Sequence, residues 1–141
     1  MTFWRVRMKP GKPLAFGRLT AEVDGNLRTV PVLGMPGNPV SAMVSFELFV
    51  RPAILKMRGL KDLNRQLYDA ILDDPVARKD ERRHFLRVRI EERAGALHAS
   101  LTGGQGSGIL NSMVQANGFA IIPEDWSSAP AGAHVKVMFF D

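Results

Sequence analysis

The chain has 141 residues, 45% of them hydrophobic and 23% charged, which is the balance of one folded domain or two small ones rather than of a disordered segment. No apolar run approaches the ~20 residues that span a bilayer, no secretion-signal core opens the chain, and the absence of cysteine excludes disulfides and thiolate metal sites, which fits the cytoplasm. A formal charge of +5 implies an anionic partner; the basic zones Arg5–Arg18 and Arg78–Arg93 lack the aromatic interleaving of an RNA-binding motif, so nucleic acid is not expected.

In chain order, Phe3–Met8 alternates as a strand, and Lys9-Pro10-Gly11-Lys12-Pro13 breaks it, because two prolines cannot donate to a ladder. Leu14–Leu19 is the next predicted strand, and Asp24-Gly25-Asn26 a hairpin turn. The apolar run Val30–Leu33, bounded by turn signals, predicts a buried strand. Gly34-Met35-Pro36-Gly37-Asn38-Pro39 then forms a rigid loop. Asn38 is a good N-cap and Pro39 suits the first helical position. Val40, Met43, Val44, Leu48, Ala53 and Leu55 give that helix a broad apolar face, Pro52 predicts a kink near Leu48, and Gly59 ends it.

The polar stretch Lys61–Gln66 is the predicted linker, and beyond it the pattern turns to strands. Along Phe85–Glu91, Leu86, Val88 and Ile90 occupy one face and Phe85, Arg87 and Arg89 the other. A turn at Gly95 leads into Leu97, Ala99 and Leu101, which alternate with His98, Ser100 and Thr102. The two strands should pair as a hairpin with a polar face carrying Arg87, Arg89, His98 and Ser100. A glycine-rich loop, Gly103–Gly108, precedes a short predicted helix, Ile109–Ala116, and Gly118–Ile122 and Val135–Phe139 complete the strands. The second half is therefore a small barrel or sandwich.

Three segments have the composition of an anion site. Lys9 and Lys12, three apart across a Pro-Gly turn, either point two ammonium groups to one side or decorate a solvated hairpin tip. The Gly34–Pro39 loop either presents backbone N–H groups to an anion or is a tight strand-to-helix connection; it lacks the Gly-Lys-Ser/Thr ending of a Walker A loop. Ser107 either caps the following helix or leaves N–H donors for an oxyanion with Arg87 nearby. The three histidines, His84, His98 and His134, have no metal-ligand spacing, and Ser41 and Ser45 have no histidine near them in sequence. Asp69, Asp73 and Asp74 read as a solvated strand end rather than a magnesium site.

The ordered set Met8-Lys9-Pro10-Gly11-Lys12-Pro13, Gly34-Met35-Pro36-Gly37-Asn38-Pro39-Val40-Ser41-Ala42, Phe49-Val50-Arg51-Pro52, Gly104-Gln105-Gly106-Ser107, Ala116-Asn117-Gly118 and Ala131–Val137 resembles the C-terminal part of molybdopterin molybdenumtransferases, a family that includes the C-terminal region of gephyrin. The resemblance covers essentially the whole chain. It implies an α/β fragment, the C-terminal part of a molybdopterin-binding domain, over residues 1–60, followed by a small mostly-β, barrel-like domain over residues 61–141.

It further implies an enzyme that inserts molybdenum from molybdate into adenylylated molybdopterin, with Mg2+, and releases AMP. Lys9, Lys12, Pro36, Gly37, Asn38, Pro39, Arg87 and Ser107 would be its substrate-binding residues in this chain. A full-length member is about three times as long, so the magnesium ligands and the dimerising region of an expected homodimer would lie outside these residues. The chain alone is then expected to be inactive. The competing reading is a non-catalytic anion-binding or assembly module.

Overall fold

The computed structural model describes residues 1–77 and 80–140; Arg78, where the second basic zone opens, lies outside them. The chain starts with β1 (Thr2–Arg5), a two-residue β2 (Met8–Lys9), and the hairpin β3 (Pro13–Val23) and β4 (Asn26–Gly34). The strand expected from Phe3 to Met8 is thus two strands. The Val6 N–H is drawn to the Lys12 carbonyl at 2.8 Å and the Met8 N–H to the Val6 carbonyl at 2.9 Å, which bends the chain between them.

β1, β3 and β4 form an antiparallel sheet in the order β1-β3-β4. Val23 faces Asn26 across a two-residue turn whose Asp24 (φ 51°) and Gly25 (φ 74°) are both left-handed, as the twist of a tight hairpin demands. The predicted burial of Val30–Leu33 is not found: Val30 is 50% exposed, and Phe3 and Trp4 on the neighbouring strand are 79% and 60% exposed. Apolar character reports what a strand would gain from a cover, and within this chain little packs on this sheet.

The helical segment runs as α1 (Pro39–Ser45), a π-turn (Phe46–Val50) and α2 (Arg51–Met57). The irregularity predicted near Leu48 takes the form of that wide turn. Pro52 has no N–H to return to the preceding turn, and the Arg51 N–H reaches back five residues to the Phe46 carbonyl. The helix ends as predicted at Gly59 (φ 80°), with Gly59 N–H on the Lys56 carbonyl (3.0 Å) and Leu60 N–H on the Leu55 carbonyl (3.1 Å). The polar stretch that follows has no regular structure but is tied back to the π-turn. Arg65 grips Glu47 through two hydrogen bonds of 2.7 and 3.3 Å.

The rest is β5 (Tyr68–Leu72), β6 (Val76–Ala77), β7 (Arg83–Arg93), β8 (Ala96–Leu101), α3 (Leu110–Val114), β9 (Gly118–Ile122), β10 (Ser128–Ala129) and β11 (His134–Phe139). Strands pair in the order β7-β8-β5-β11-β9, and β9 pairs again with β7, which closes a five-stranded barrel. Its core follows the alternation read from the sequence: Leu86, Val88 and Ile90 turn inward onto Ala99, Leu72, Ile122 and Val137. Burying each of the larger of these side chains contributes about 1.5–3 kcal/mol. The alternate residues Phe85, Phe119 and Met138 face outward and pack with Val40 and Val44 of α1 and with Met8. β2 adds to the same sheet by pairing parallel with β7, Met8 opposite Arg83 and Lys9 opposite His84. The first sixty residues therefore grip the barrel by an outer apolar layer and by backbone.

At the end of β5, Asp73 accepts hydrogen bonds from Ser100 Oγ (2.5 Å), His98 Nδ1 (2.8 Å) and Arg93 Nη2 (2.5 Å). The Ser100 bond, then the His98 bond, outweigh desolvation and hold its carboxyl at about 2, down from 3.8. A carboxyl whose folded value lies below its unfolded one stabilises the fold above the unfolded value and loses that contribution as pH falls through the folded one. The melting temperature should therefore fall as pH drops from about 4 to about 2. Asp73→Asn should flatten that part of the profile; an unchanged profile would assign the acid sensitivity elsewhere.

Candidate functional site

The Lys9–Pro13 loop leaves β2 beside the barrel, with a cis peptide between Lys9 and Pro10, and then lies flat against α1. Gly11 makes that approach possible. Its φ is +100°, and a Cβ there would meet Met8 Cε at 2.8 Å and Ser45 Oγ at 2.9 Å. The second loop delivers α1. Asn38 has extended backbone (φ −74°, ψ 124°), Pro39 is the first helical residue, and the Asn38 carbonyl accepts from Ala42 N–H at 2.9 Å. Asn38 is therefore the N-cap by backbone, but its side chain does not cap. Its Nδ2 donates across the site to Ser107 Oγ at 3.2 Å, while its Oδ1 is buried without a hydrogen-bond partner.

Ser107 does not cap the following helix either. Ile109 holds the N-cap position of α3, without a side-chain cap, and Ser112 Oγ donates to the Ile109 carbonyl at 2.7 Å. The loop carrying Ser107 is built around Arg87, whose side chain is fully buried beneath it. Arg87 Nη2 donates to the carbonyls of Gly104 (3.1 Å) and Gly106 (2.9 Å), Nη1 to that of Gln105 (3.1 Å), and Nε to Ser112 Oγ (3.1 Å). Gln105 answers in kind. Its Oε1 accepts from Arg87 N–H at 2.8 Å and its Nε2 donates to the Arg87 carbonyl at 3.1 Å. The open polar hairpin face anticipated for Arg87 is thus covered by the glycine loop, and His98 and Ser100 are spent on Asp73.

These loops wall a hollow of about 430 Å³ lined by Lys9, Lys12, Pro36, Gly37, Asn38, Ser41, Arg82, Gln105 and Ser107, among others. Residues far apart in sequence, and read there as separate anion-binding features, share one wall. Of the expected site residues, Pro39 stands behind it as the first helical residue, and Arg87 sits under the floor, shaping the loop rather than presenting a donor of its own. A neighbouring hollow of about 540 Å³ shares Lys9, Pro10 and Gln105 and adds the apolar Phe85, Leu86 and Leu101.

The site is electropositive. Burial pushes the Arg87 guanidinium down from its ordinary value, but its partners here are neutral carbonyls and a hydroxyl, so it remains a cation under the loop. At the rim, Asp80 receives Arg82 Nη2 at 2.8 Å and His84 Nε2 at 2.9 Å, and Lys9 Nζ lies 3.6 Å away. The Arg82 bond above all holds the Asp80 carboxyl far below the usual carboxylate range. Ser41, Arg82 and Gln105 are not among the residues expected from the sequence to bind substrate; Arg82 is marked there only by its place in the second basic zone and Gln105 only by the Gly104-Gln105-Gly106-Ser107 motif, its side-chain amide mimicking a strand partner of Arg87.

Among the described residues no group of three or more His, Cys, Asp or Glu could hold a metal ion, and no helix is long and apolar enough to cross a membrane. Asp69 is paired with Lys136 at 2.7 Å, and Asp74 accepts the Leu101 N–H at 2.7 Å. Asp69, near the start of β5, is thus taken up by a cross-strand pair, and Asp73 and Asp74, just after its end, by strand-end contacts.

A family profile described as the MoeA C-terminal region (domain IV) matches residues 69–140, and one described as a probable molybdopterin-binding domain matches residues 1–56. The chain is 35% identical over 135 residues to molybdopterin molybdenumtransferase 2 of Mycobacterium tuberculosis, covering 96% of this chain and 31% of that protein. It is 32% identical over 146 residues to the Haemophilus influenzae molybdopterin molybdenumtransferase, covering 100% and 33%. The crystal structure of the molybdopterin biosynthesis MoeA protein from Pyrococcus horikoshii superposes with a TM-score of 0.69 at 30% identity, over 98% of this chain and 32% of that one. The chain spans about a third of the length of each of these relatives.

Proposed function

Because this chain belongs to the molybdopterin molybdenumtransferase family, we propose that it supplies part of the substrate cleft of an enzyme that inserts molybdenum from molybdate into adenylylated molybdopterin and releases AMP. The observation that carries this reading is the convergence of the Lys9–Pro13 loop, the helix-entry loop and the Gly103–Gly108 loop on one positively charged hollow. Each reactant bears anionic groups. Lys9 and Lys12 would hold them as point charges, the Asn38–Ser107 pair would orient an oxygen by hydrogen bonding, and Arg87 would keep the loop rigid from below. Pro36, Gly37 and Pro39 shape the wall and limit its motion.

The Mg2+ expected for such an enzyme finds no fitting ligand set among the described residues, since the carboxylates near the site and on and after β5 are engaged by arginine, lysine, histidine and backbone donors. Turnover would require the remaining two thirds of the longer relatives, and the chain alone should not insert the metal.

Lys12→Ala in the corresponding full-length protein tests the assignment. Loss of one charge-assisted hydrogen bond of about 1.5–3 kcal/mol should lower metal insertion about tenfold to a hundredfold. Unchanged turnover in a folded variant would remove Lys12 from the substrate site and favour a non-catalytic anion-binding module.

A further inference from the structure

We propose that Asn38 is a positioning residue of this hollow: its amide fixes the Ser107 hydroxyl as a hydrogen-bond donor to the bound anion, and Asn38 itself does not touch the anion. This rests on the reading above and goes beyond it by assigning what Ser107 offers and what makes it do so. Asn38 Nδ2 donates to Ser107 Oγ at 3.2 Å, from the helix-entry loop to the glycine loop 69 residues later. No other partner of the Ser107 side chain is found among the described residues. A hydroxyl has one proton and two lone pairs. With the amide N–H on one lone pair, the Ser107 proton is turned away from Asn38, and Ser107 is exposed on the wall of the hollow.

The far end of the same amide supports the assignment. Asn38 Oδ1 is buried and has no hydrogen-bond partner. It is closed to solvent, so a ligand in the hollow meets nothing of that oxygen. Buried polar atoms are nearly always satisfied, and an exception calls for a reason. Here the reason is Ser107: the amide forgoes a partner for its oxygen and keeps its N–H side on the hydroxyl across the gap.

The glycine loop does not set that proton by itself. Arg87 holds the loop through the carbonyls of Gly104, Gln105 and Gly106, just short of Ser107, which stands between Gly106 and Gly108. The grip from below thus fixes main chain and leaves the hydroxyl free to rotate. Asn38 is fixed from the other side, as its carbonyl accepts the Ala42 N–H at 2.9 Å and Pro39 follows it at the first helical position. An oxygen without a proton, on an oxometalate or a phosphate, accepts from a donor so directed.

The test is a double-mutant cycle over Asn38→Ala and Ser107→Ala, read by calorimetric titration of the whole chain with sodium molybdate and, separately, with AMP, which distinguishes the two sources of such an oxygen. For whichever anion the wild type binds, Ser107→Ala should weaken affinity by about tenfold or more and Asn38→Ala by about threefold to tenfold. In the Ser107→Ala background, Asn38→Ala should change affinity by less than about twofold. A merely structural Asn38 would disturb the wall in either background, so its loss would persist and the two losses would multiply; that result overturns the proposal. So does wild-type affinity in folded Asn38→Ala. Circular dichroism checks the fold, and Asn38→Ser replaces the alanine variant if that one does not fold. Wild-type affinity in Ser107→Ala, with affinity lost in Lys12→Ala, overturns the proposal and leaves the anion site standing. If the wild type binds neither anion, or Lys12→Ala and Ser107→Ala both bind as the wild type does, the hollow is not an anion site and both readings fall.

Discussion

Arg87→Ala is expected to lower the unfolding free energy by about 3–5 kcal/mol and to abolish anion binding in whatever remains folded. The side chain is wholly buried, and its donors satisfy the carbonyls of Gly104, Gln105 and Gly106 together with Ser112 Oγ. Truncation leaves those oxygens desolvated and unpartnered and opens a cavity where the guanidinium lay. Arg87→Met separates the two contributions. It fills space but supplies no donor, so it should recover only the packing part. Urea unfolding of the three proteins gives the measurement, and a loss below about 0.5 kcal/mol for alanine would mean that the loop is held by other contacts. Anion titration of the same proteins links the loop to the hollow, because Ser107 and Gln105 are carried on it.

Phe119→Ala should cost about as much, 3–5 kcal/mol, by a different route. Phe119 is fully buried on the outer face of the barrel, with edge-on contacts to Phe85 (6.3 Å between centroids) and Phe140 (4.6 Å). It belongs to the apolar layer that includes Val40 and Val44 of α1. The variant should therefore loosen the helix that presents Asn38 as well as the barrel, and weaken anion binding although Phe119 lines no part of the hollow. Phe119→Leu, closer in volume, should lose only about 1–1.5 kcal/mol and bind normally. If Phe119→Ala unfolds at wild-type urea concentration, the apolar layer is not what fastens α1.

Much of this was legible in the residues. Period-two alternation in Leu86, Val88 and Ile90 placed the barrel interior, and Asp24-Gly25, Pro39 and Gly59 marked a turn, a helix start and a helix end because each has a backbone geometry few other residues supply. The loops of the site were recognisable for the same reason. What local pattern could not convey is which groups meet. The short apolar run Val30–Leu33 looks the same whether or not a second layer covers it. Arg87 occupied the expected face of its strand, yet its role depends on a loop some twenty residues later folding over that face. Asn38 and Ser107, each a plausible helix cap alone, bond to one another across 69 residues. Lys9, Arg82 and His84 converge on Asp80 only because β2 lies alongside β7.

That last pairing also governs how the cleft can move. Met8 and Lys9 run parallel and in register with Arg83 and His84 over those two residue pairs, so the two segments that carry the basic rim are stitched main chain to main chain. A swing about a hinge would have to tear that seam first. The aperture is accordingly of nearly fixed width on its basic side, and the opposite lip is no looser, because the loop carrying Ser107 and Gln105 is pinned to the buried Arg87 beneath it.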